Sequence, residues 1–280
     1  MSIKEVTDFL VKLALAEDVG RGDITTLAVV PKGQKAKAII AAKEAGVIAG
    51  LSVAAYVFRH ADPRIKFSPK AKDGAAVKRG KVIAVLTGPA RGILTGERVA
   101  LNFLQHLSGI ATATDKFVAK VKSKKVKVKI LDTRKTIPGL RALEKYAVRM
   151  GGGVNHRLGL YDAILIKDNH IKLAGGIEKS IEKARCGVRG KGEVEVEAKT
   201  LNEVQRAIAV GADRILLDNM SPKTMRAAVK LCKKAGIKTE ASGGINLSNV
   251  AAVARTGVDF ISIGALTHSA PALDINLKVI

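Results

Sequence analysis

Residues 131 to 170 read LDTRKTIPGLRALEKYAVRMGGGVNHRLGLYDAILIKDNH. Arg134, Lys135, His156, Arg157 and Lys167 fall within this short span, each beside a chain reversal or at the end of an apolar run. Cationic groups so placed suit an anionic small molecule with more than one acidic group. Arginine offers a planar fork that matches a carboxylate in two places, and lysine offers a compact charge for phosphate. Just upstream, Lys125 to Ile130 alternates strictly between lysine and apolar residues, the period of a strand. A helix is expected next, with Thr136 as N-cap and Pro138 in its first turn. Leu140, Leu143, Ala147 and Met150 recur at helical spacing, and Gly151 to Gly153 stop the helix. Ala163 to Ile166 reads as a second, buried strand that runs into Lys167. Strand, helix, strand predicts a parallel unit.

The pattern continues toward the C-terminus. Strands are expected at 126–131, 163–167, 192–197, 214–217, 237–241 and 259–262, with helices between most of them. Polar and glycine residues sit where these strands end: Arg134 and Lys135, then Lys167, Asp218, Ser242-Gly243-Gly244 and Gly264. That placement favours a (β/α) barrel, which keeps its site at the C-terminal strand ends. Fewer than eight strands are legible, so the barrel is expected to be incomplete, with the lysine-studded first strand as a charged edge. In Glu193-Val194-Glu195-Val196-Glu197 the carboxylates share one face and the valines the other. Glutamates facing the barrel interior need cationic partners, because unpaired buried charge is costly.

Toward the N-terminus, residues 3 to 16 predict a helix and 17 to 30 a loop. Short β segments with glycine turns run from Ala36 to Leu86, as in a small sandwich. Two helices are expected at 92–107 and about 110–122, separated near Ser108-Gly109. The division expected is an N-terminal α+β sandwich-like domain over 1–109 and an incomplete barrel over 110–280, whose last residues can return to the N-terminal domain.

Composition narrows the function classes. The hydrophobic share of 47% is that of a globular chain with a core, and no apolar run is long enough to span a bilayer. Cys186 and Cys232 are the only cysteines, which excludes a disulfide framework and suits a reducing cytoplasm. The formal charge of +23 admits nucleic-acid binding, steering of polyanionic metabolites, or a lysine-coated surface kept for solubility. With aromatics at 3% and no Trp, base-stacking platforms are scarce, so nucleic acid is not the expected partner.

The candidate chemistry follows from the residue types. Ser242-Gly243-Gly244 and Gly264-Ala265 are glycine turns on consecutive late strands, a setting that cradles phosphate with backbone N–H groups. Glu195 and Asp218 offer carboxylates for sugar hydroxyls or Mg2+, with Glu197 left open as the alternative to Glu195. Lys167 suits a pyrophosphate; the competing role is a Schiff base, disfavoured by the many other cations crowding the same stretch. Arg134, Lys135, His156 and Arg157 suit a planar diacid, although His156 and Arg157 serve equally well to pin the loop after the glycines.

The segments Asp132-Thr133-Arg134-Lys135-Thr136, Pro138 to Arg141, Glu144 to Val148, Asn155-His156-Arg157 and Leu165 to His170 closely resemble the quinolinate phosphoribosyltransferases. Weaker echoes are Glu17 to Thr25, Gly96-Glu97-Arg98, Leu107 to Thr112 and Gly264 to Ser269, so the resemblance spans most of the chain. It implies transfer of phosphoribosyl from phosphoribosyl pyrophosphate to quinolinate with loss of CO2, in NAD biosynthesis, with Mg2+. It implies quinolinate contacts at Arg134, His156, Arg157 and, from a neighbouring subunit of a homodimer, Arg98. Thr133, Lys135, Lys167 and His268 then line the site, Glu195 and Asp218 hold ribose and metal, and Ser242, Gly243 and Gly264 take the phosphate. Lys135, Lys167, Glu195 and Asp218 are the catalytic group it implies.

Overall fold

The computed structural model describes residues 3–122, 127–187 and 192–280. In chain order the elements are α1 (Ile3–Val19), α2 (Ile24–Val29), β1 (Lys35–Ala42), β2 (Gly46–Val47), α3 (Leu51–Ala61), β3 (Lys66–Pro69), β4 (Ala76–Val77), β5 (Val82–Pro89) and α4 (Ala90–Lys122). There follow β6 (Lys129–Leu131), α5 (Arg141–Met150), β7 (Ile164–Ile166), α6 (Asp168–Ala174), α7 (Ile177–Gly187), β8 (Val194–Ala198), α8 (Leu201–Ala209), β9 (Arg214–Asp218) and α9 (Pro222–Lys234). The chain closes with β10 (Lys238–Ser242), α10 (Val250–Ala254), β11 (Phe260–Ser262), α11 (Ala265–His268) and β12 (Ile275–Val279).

The chain forms two compact units. One contains Met1–Asp115, Thr136–Gly152 and Leu266–Ile280; the other contains Lys116–Lys135 and Gly153–Ala265. The boundary expected at 109/110 therefore falls inside the continuous helix α4.

The first unit is built on an antiparallel sheet of order β12-β1-β5-β3, with β2 and β4 as a separate small ladder. Two stretches read as non-helical in sequence are helices. Asp23 caps α2, its carboxylate accepting from the Thr26 N–H at 2.9 Å. α3 lies within the segment read as all-β and buries Leu51, Val53, Ala54, Val57 and Phe58. The break expected at Ser108-Gly109 is absent. Ser108 Oγ accepts from Ala49 N–H at 3.0 Å, and a Cβ on Gly109 would collide with the Pro271 carbonyl oxygen. These small residues let other backbone approach an unbroken helix. The helix after Thr136 starts later than its cap signal, at Arg141. Glu144 accepts the Ile137 N–H at 3.2 Å and Thr136 Oγ1 accepts from Arg141 Nε at 2.9 Å, which holds the lead-in as a turn.

The second unit is a six-stranded parallel sheet of order β6-β11-β10-β9-β8-β7, an open, barrel-like arrangement. The strands on either side of α5 are parallel but lie at opposite edges, because β6 pairs with β11 and β7 with β8. Val194, Val196, Ile215, Leu217, Ala241 and Ile261 are wholly buried from one face. Val204, Ala207, Met225, Ala228, Val229 and Cys232 supply the apolar faces of α8 and α9. The lysine-rich strand lies at the β6 edge, and the part of its expected range at 126 is outside the described residues. Among the described residues no helix is long and apolar enough to cross a membrane.

Gly109→Ala is expected to lower stability by about 1–3 kcal/mol, because the new Cβ meets backbone that cannot move aside cheaply. That loss outweighs the roughly 1 kcal/mol gained in helix propensity. Gly187→Ala, which meets nothing within 4 Å, is the control. Equal urea midpoints for the two variants would contradict the close-approach account.

Candidate active site

The site is laid out along the C-terminal ends of the parallel strands. β6 delivers the fully buried Asp132, whose carboxylate accepts from Asn155 Nδ2 at 2.5 Å and from the His156 N–H at 2.8 Å. Val154 N–H donates to Ile130 O at 2.9 Å, and Leu131 and Val154 form a parallel bridge. Residues 154 to 157 are thereby fastened alongside β6. Gly152 ends the preceding turn at φ +82°, a conformation that suits glycine.

From that anchor His156 reaches the sheet interior. Its Nε2 lies 3.2 Å from Glu195 Oε2 on β8 and 3.5 Å from Glu240 Oε1 on β10. Glu240 is wholly buried and accepts from Arg214 at 3.3 Å, while Arg214 also donates to the Glu193 carboxylate at 3.1 and 3.2 Å. The Arg214 guanidinium stands 4.3 Å from the centre of the Phe260 ring, a cation–π contact. Burial, then the Glu195 carboxylate, push the Glu240 pKa up to about 7. Burial pulls the His156 imidazole down, but Glu195 and Glu240 outweigh it and raise it overall. His156 Nδ1 accepts the Arg157 N–H at 2.8 Å, so the ring proton sits on Nε2 and full protonation has to break that bond.

A second carboxylate group lies at the strand ends. Asp218 closes β9, and near it are Glu197, Asp168 and Lys199. Burial, then Asp218 and Asp168, raise the Glu197 carboxyl above its ordinary value. Lys199 Nζ holds Asp168 at 3.0 Å and lies 3.9 Å from Glu197. The pairing of Glu195 with Asp218 read from sequence is not what the structure builds. Register places Glu195 opposite Arg214, four residues before Asp218, or about 13 Å along the strand. The glutamate that feels Asp218 is Glu197, two residues further along the same face and opposite Leu216.

The cations crowd the same end. Burial, then the nearby Arg134 cation, pull the Arg157 guanidinium below its ordinary value, and Arg157 donates to Ala163 O at 2.9 Å. Thr133 Oγ1 accepts the Lys135 N–H at 3.0 Å. Lys135 and Lys167 are exposed. A cavity of about 190 Å³ is lined by Asn155, His156, Arg157, Glu195 and Arg214, among others. Ser242 and Gly243 follow β10. Gly243 has φ +92° and no room for a Cβ, because the Asn219 side chain lies against it. Asn219 is itself left-handed at φ +51°, and its N–H donates to Ser242 O at 2.9 Å. Gly264 follows β11 in the same unit.

Thus Thr133, Arg134, Lys135, His156, Arg157, Lys167, Asp218, Ser242, Gly243 and Gly264 share one unit with Glu195, which faces its interior. Arg98, exposed on α4, and His268, exposed at the end of α11, belong to the other unit. Sequence reading missed Glu240, Arg214 and Asn219. Glu240 sits in Lys238-Thr239-Glu240, where it looks like a solvated charge; Asn219, beside Asp218, carries no local sign of a left-handed backbone.

Family comparison covers nearly the whole chain. Residues 23–108 match the quinolinate phosphoribosyl transferase N-terminal domain and residues 110–278 its C-terminal domain. The chain is 48% identical to a probable nicotinate-nucleotide pyrophosphorylase [carboxylating] of Synechocystis sp. over 95% of its own length and 90% of the relative's. It is also 48% identical to the protein of that name from Bacillus subtilis, over 94% and 90%. The nicotinate-nucleotide pyrophosphorylase structure from Francisella tularensis superposes with a TM-score of 0.95 at 42% identity, covering 100% of this chain and 98% of that one.

The Glu240 carboxyl sets a pH signature. Its folded pKa of about 7 lies above the roughly 4.3 of an unfolded glutamate. Between those values the folded state retains a proton that the unfolded chain has released. Its stabilising contribution is therefore full below about pH 4 and lost as pH rises through about 7. Urea midpoints of the wild type should fall between about pH 5 and pH 8, and by more than those of Glu240→Gln. Identical falls would contradict a buried, proton-retaining Glu240.

Proposed function

We propose the reaction from the premise that this chain belongs to the quinolinate phosphoribosyltransferase family. It transfers phosphoribosyl from phosphoribosyl pyrophosphate to quinolinate with decarboxylation, yielding nicotinate mononucleotide, pyrophosphate and CO2 in NAD biosynthesis. The observation that supports a diacid acceptor is the pair Arg134 and Arg157, two guanidinium groups close enough that one depresses the other. A dianion between them relieves that repulsion and is gripped at both carboxylates.

The proposal gives individual residues these roles. Arg134 and Arg157 hold the two acceptor carboxylates, and the exposed amines of Lys135 and Lys167 offset charge on the acceptor and on the departing pyrophosphate. Glycosyl transfer passes through an oxocarbenium-like state, so the protein's task is to hold two anions in line and stabilise developing charge; no protein nucleophile is needed. Once the ring nitrogen is bonded to ribose it is cationic and stabilises the electron pair left on the adjacent ring carbon as its carboxylate departs as CO2; that carbon then takes a proton from water. Ser242, Gly243 and Gly264 offer backbone and hydroxyl groups for the ribose phosphate.

Mg2+ fits the donor set at Glu197 and Asp218. Glu197 is raised by burial and by Asp218 and Asp168 nearby, so hard oxygen ligands converge where a dication relieves their repulsion. When bound there, Mg2+ supplies charge neutralisation for the pyrophosphate group. These carboxylates, rather than Glu195, are the proposed metal and ribose contacts.

The active assembly is proposed as a homodimer in which Arg98 serves the neighbouring subunit's site. Ile24 at 83% and Val29 at 71% exposure on α2, and Leu160 at 73% and Tyr161 at 83%, are apolar surface suited to a subunit contact. Two unpaired cysteines, Cys186 exposed and Cys232 buried, suit a reducing cytoplasm.

Purified protein with Mg2+ and phosphoribosyl pyrophosphate should release pyrophosphate and CO2 with quinolinate and not turn over nicotinate. Pyrophosphate release with nicotinate instead would move the acceptor to a monoacid. Arg134→Ala and Arg157→Ala should each lower kcat/KM for quinolinate by at least about a hundredfold, as removal of a buried charged contact does. Turnover unaffected in both would sink the diacid pocket.

Subunit sharing has its own test. Arg98→Ala and Arg134→Ala are each expected to be nearly inactive. Mixing equal amounts under subunit exchange should restore about a quarter of wild-type activity, since half the dimers then carry one intact site. No recovery, with exchange verified by mass-tagged subunits, would place Arg98 in its own subunit's chemistry or outside it.

A further inference from the structure

Glu195 sits on the interior face, 5% exposed, and the reaction as derived above gives it no task. Its Oε2 meets His156 Nε2 at 3.2 Å, while Oε1 is buried without a hydrogen-bond partner. His156 Nδ1 in turn accepts the Arg157 N–H at 2.8 Å. Both ring nitrogens are therefore engaged by protein, one inward and one along the chain. Asp132 fixes the His156 N–H from the other side. Arg157 leaves this turn with its guanidinium donating to Ala163 O at 2.9 Å.

We infer that Glu195 is a positioning residue, fixing the His156 tautomer with its proton on Nε2, and through Nδ1 orienting Arg157 toward the acceptor carboxylate. A neutral imidazole has one donor and one acceptor nitrogen, and the hydrogen bond at one decides the other. A carboxylate at Nε2 demands a proton there, and this leaves Nδ1 as the acceptor that the Arg157 N–H requires. Without Glu195 the Nε2 proton keeps the weaker hold of Glu240 Oε1 at 3.5 Å, and the balance shifts toward Nδ1, where a proton opposes the Arg157 N–H and releases the turn. The His156 ring thus holds the turn that carries Arg157 while it lines the same cavity.

A cation held by His156, Glu195 and Glu240 is the competing reading, since ligand atoms of all three lie within 4.8 Å of one another. It requires a bare Nε2, and the proton would then occupy Nδ1. The Arg157 N–H already points at Nδ1, so the tautomer here is the wrong one for a metal.

The inference rests on the reading of Arg157 as an acceptor-binding cation, and the test separates the two. Protein labelled with 15N-histidine is compared as wild type, Glu195→Gln and Glu195→Ala, with the His156 signals identified by their loss in His156→Gln. The wild type and Glu195→Gln, whose amide oxygen still accepts from Nε2–H, should show a protonated Nε2 and a bare Nδ1. Glu195→Ala should show a shift toward the Nδ1-protonated form. Its KM for quinolinate should rise about tenfold with KM for phosphoribosyl pyrophosphate within about twofold, and Glu195→Gln should restore most of the loss. A wild-type ring protonated on Nδ1, or an unchanged tautomer in Glu195→Ala, overturns the inference. So does an equal rise of both KM values, which marks general loosening. Absence of quinolinate turnover by the wild type would strike the reaction assignment, while the nitrogen spectra would still decide whether Glu195 sets the tautomer.

Discussion

Charge buried inside a sheet has to be matched where it lies, because water is not there to solvate it. The interior of the parallel sheet meets this constraint with one connected set: Glu193, Arg214, Glu240, His156 and Glu195, with Arg214 also resting on Phe260. Its members come from four parts of the chain: Glu193 and Glu195 from β8 and the residue before it, Arg214 from β9, Glu240 from β10 and His156 from the segment after Gly153. The set therefore forms only when strand order and register are correct, and it ties the 154–157 segment to the sheet. Arg157 sits at the end of that chain of constraints, so the proposed acceptor pocket inherits its geometry from the charged interior.

The open sheet explains how the segment can enter. In a closed parallel barrel β6 and β7 would pair; here they form opposite edges. Val154 bridges to Leu131 on the β6 edge, and the following residues turn toward β8 and β10. A missing pair of strands thus leaves room for a loop that carries binding groups into the interior. Strand ends do the remaining work, presenting Lys167, Glu197, Asp218 and Ser242 side by side, as parallel α/β sheets generally do at this end.

Two kinds of cation can be distinguished in a chain of net charge +23. Most lysines are solvated surface groups. Arg134 and Arg157 differ, because burial and then the nearby Arg134 lower the pKa of the partly buried Arg157. A net charge of this size raises the concentration of small anions near the surface in general, whereas the arginine pair is a local feature.

Much of this was legible in residue order. The alternating strand periods, the helical spacing of Leu143 and Ala147, the glycine stops and the polar strand ends are local properties, written in side-chain period and backbone freedom, and they determined the parallel-sheet unit and its site end. The dense 131–170 stretch determined the family. Other features needed the fold. The small pair Ser108-Gly109 looks like a break until Ala49 and Pro271 are seen against it, and α3 is hidden in a segment whose neighbours are strands. Which glutamate of Glu193-Val194-Glu195-Val196-Glu197 meets Asp218 is invisible to alternation, since all three share a face. Register alone separates them by distance along the strand, setting Glu195 against Arg214 and His156 and leaving Glu197 at the mouth. Sequence determined which groups are present and which face they occupy; the tertiary structure decided which of them are neighbours, because that depends on strand order and register between segments far apart in the chain.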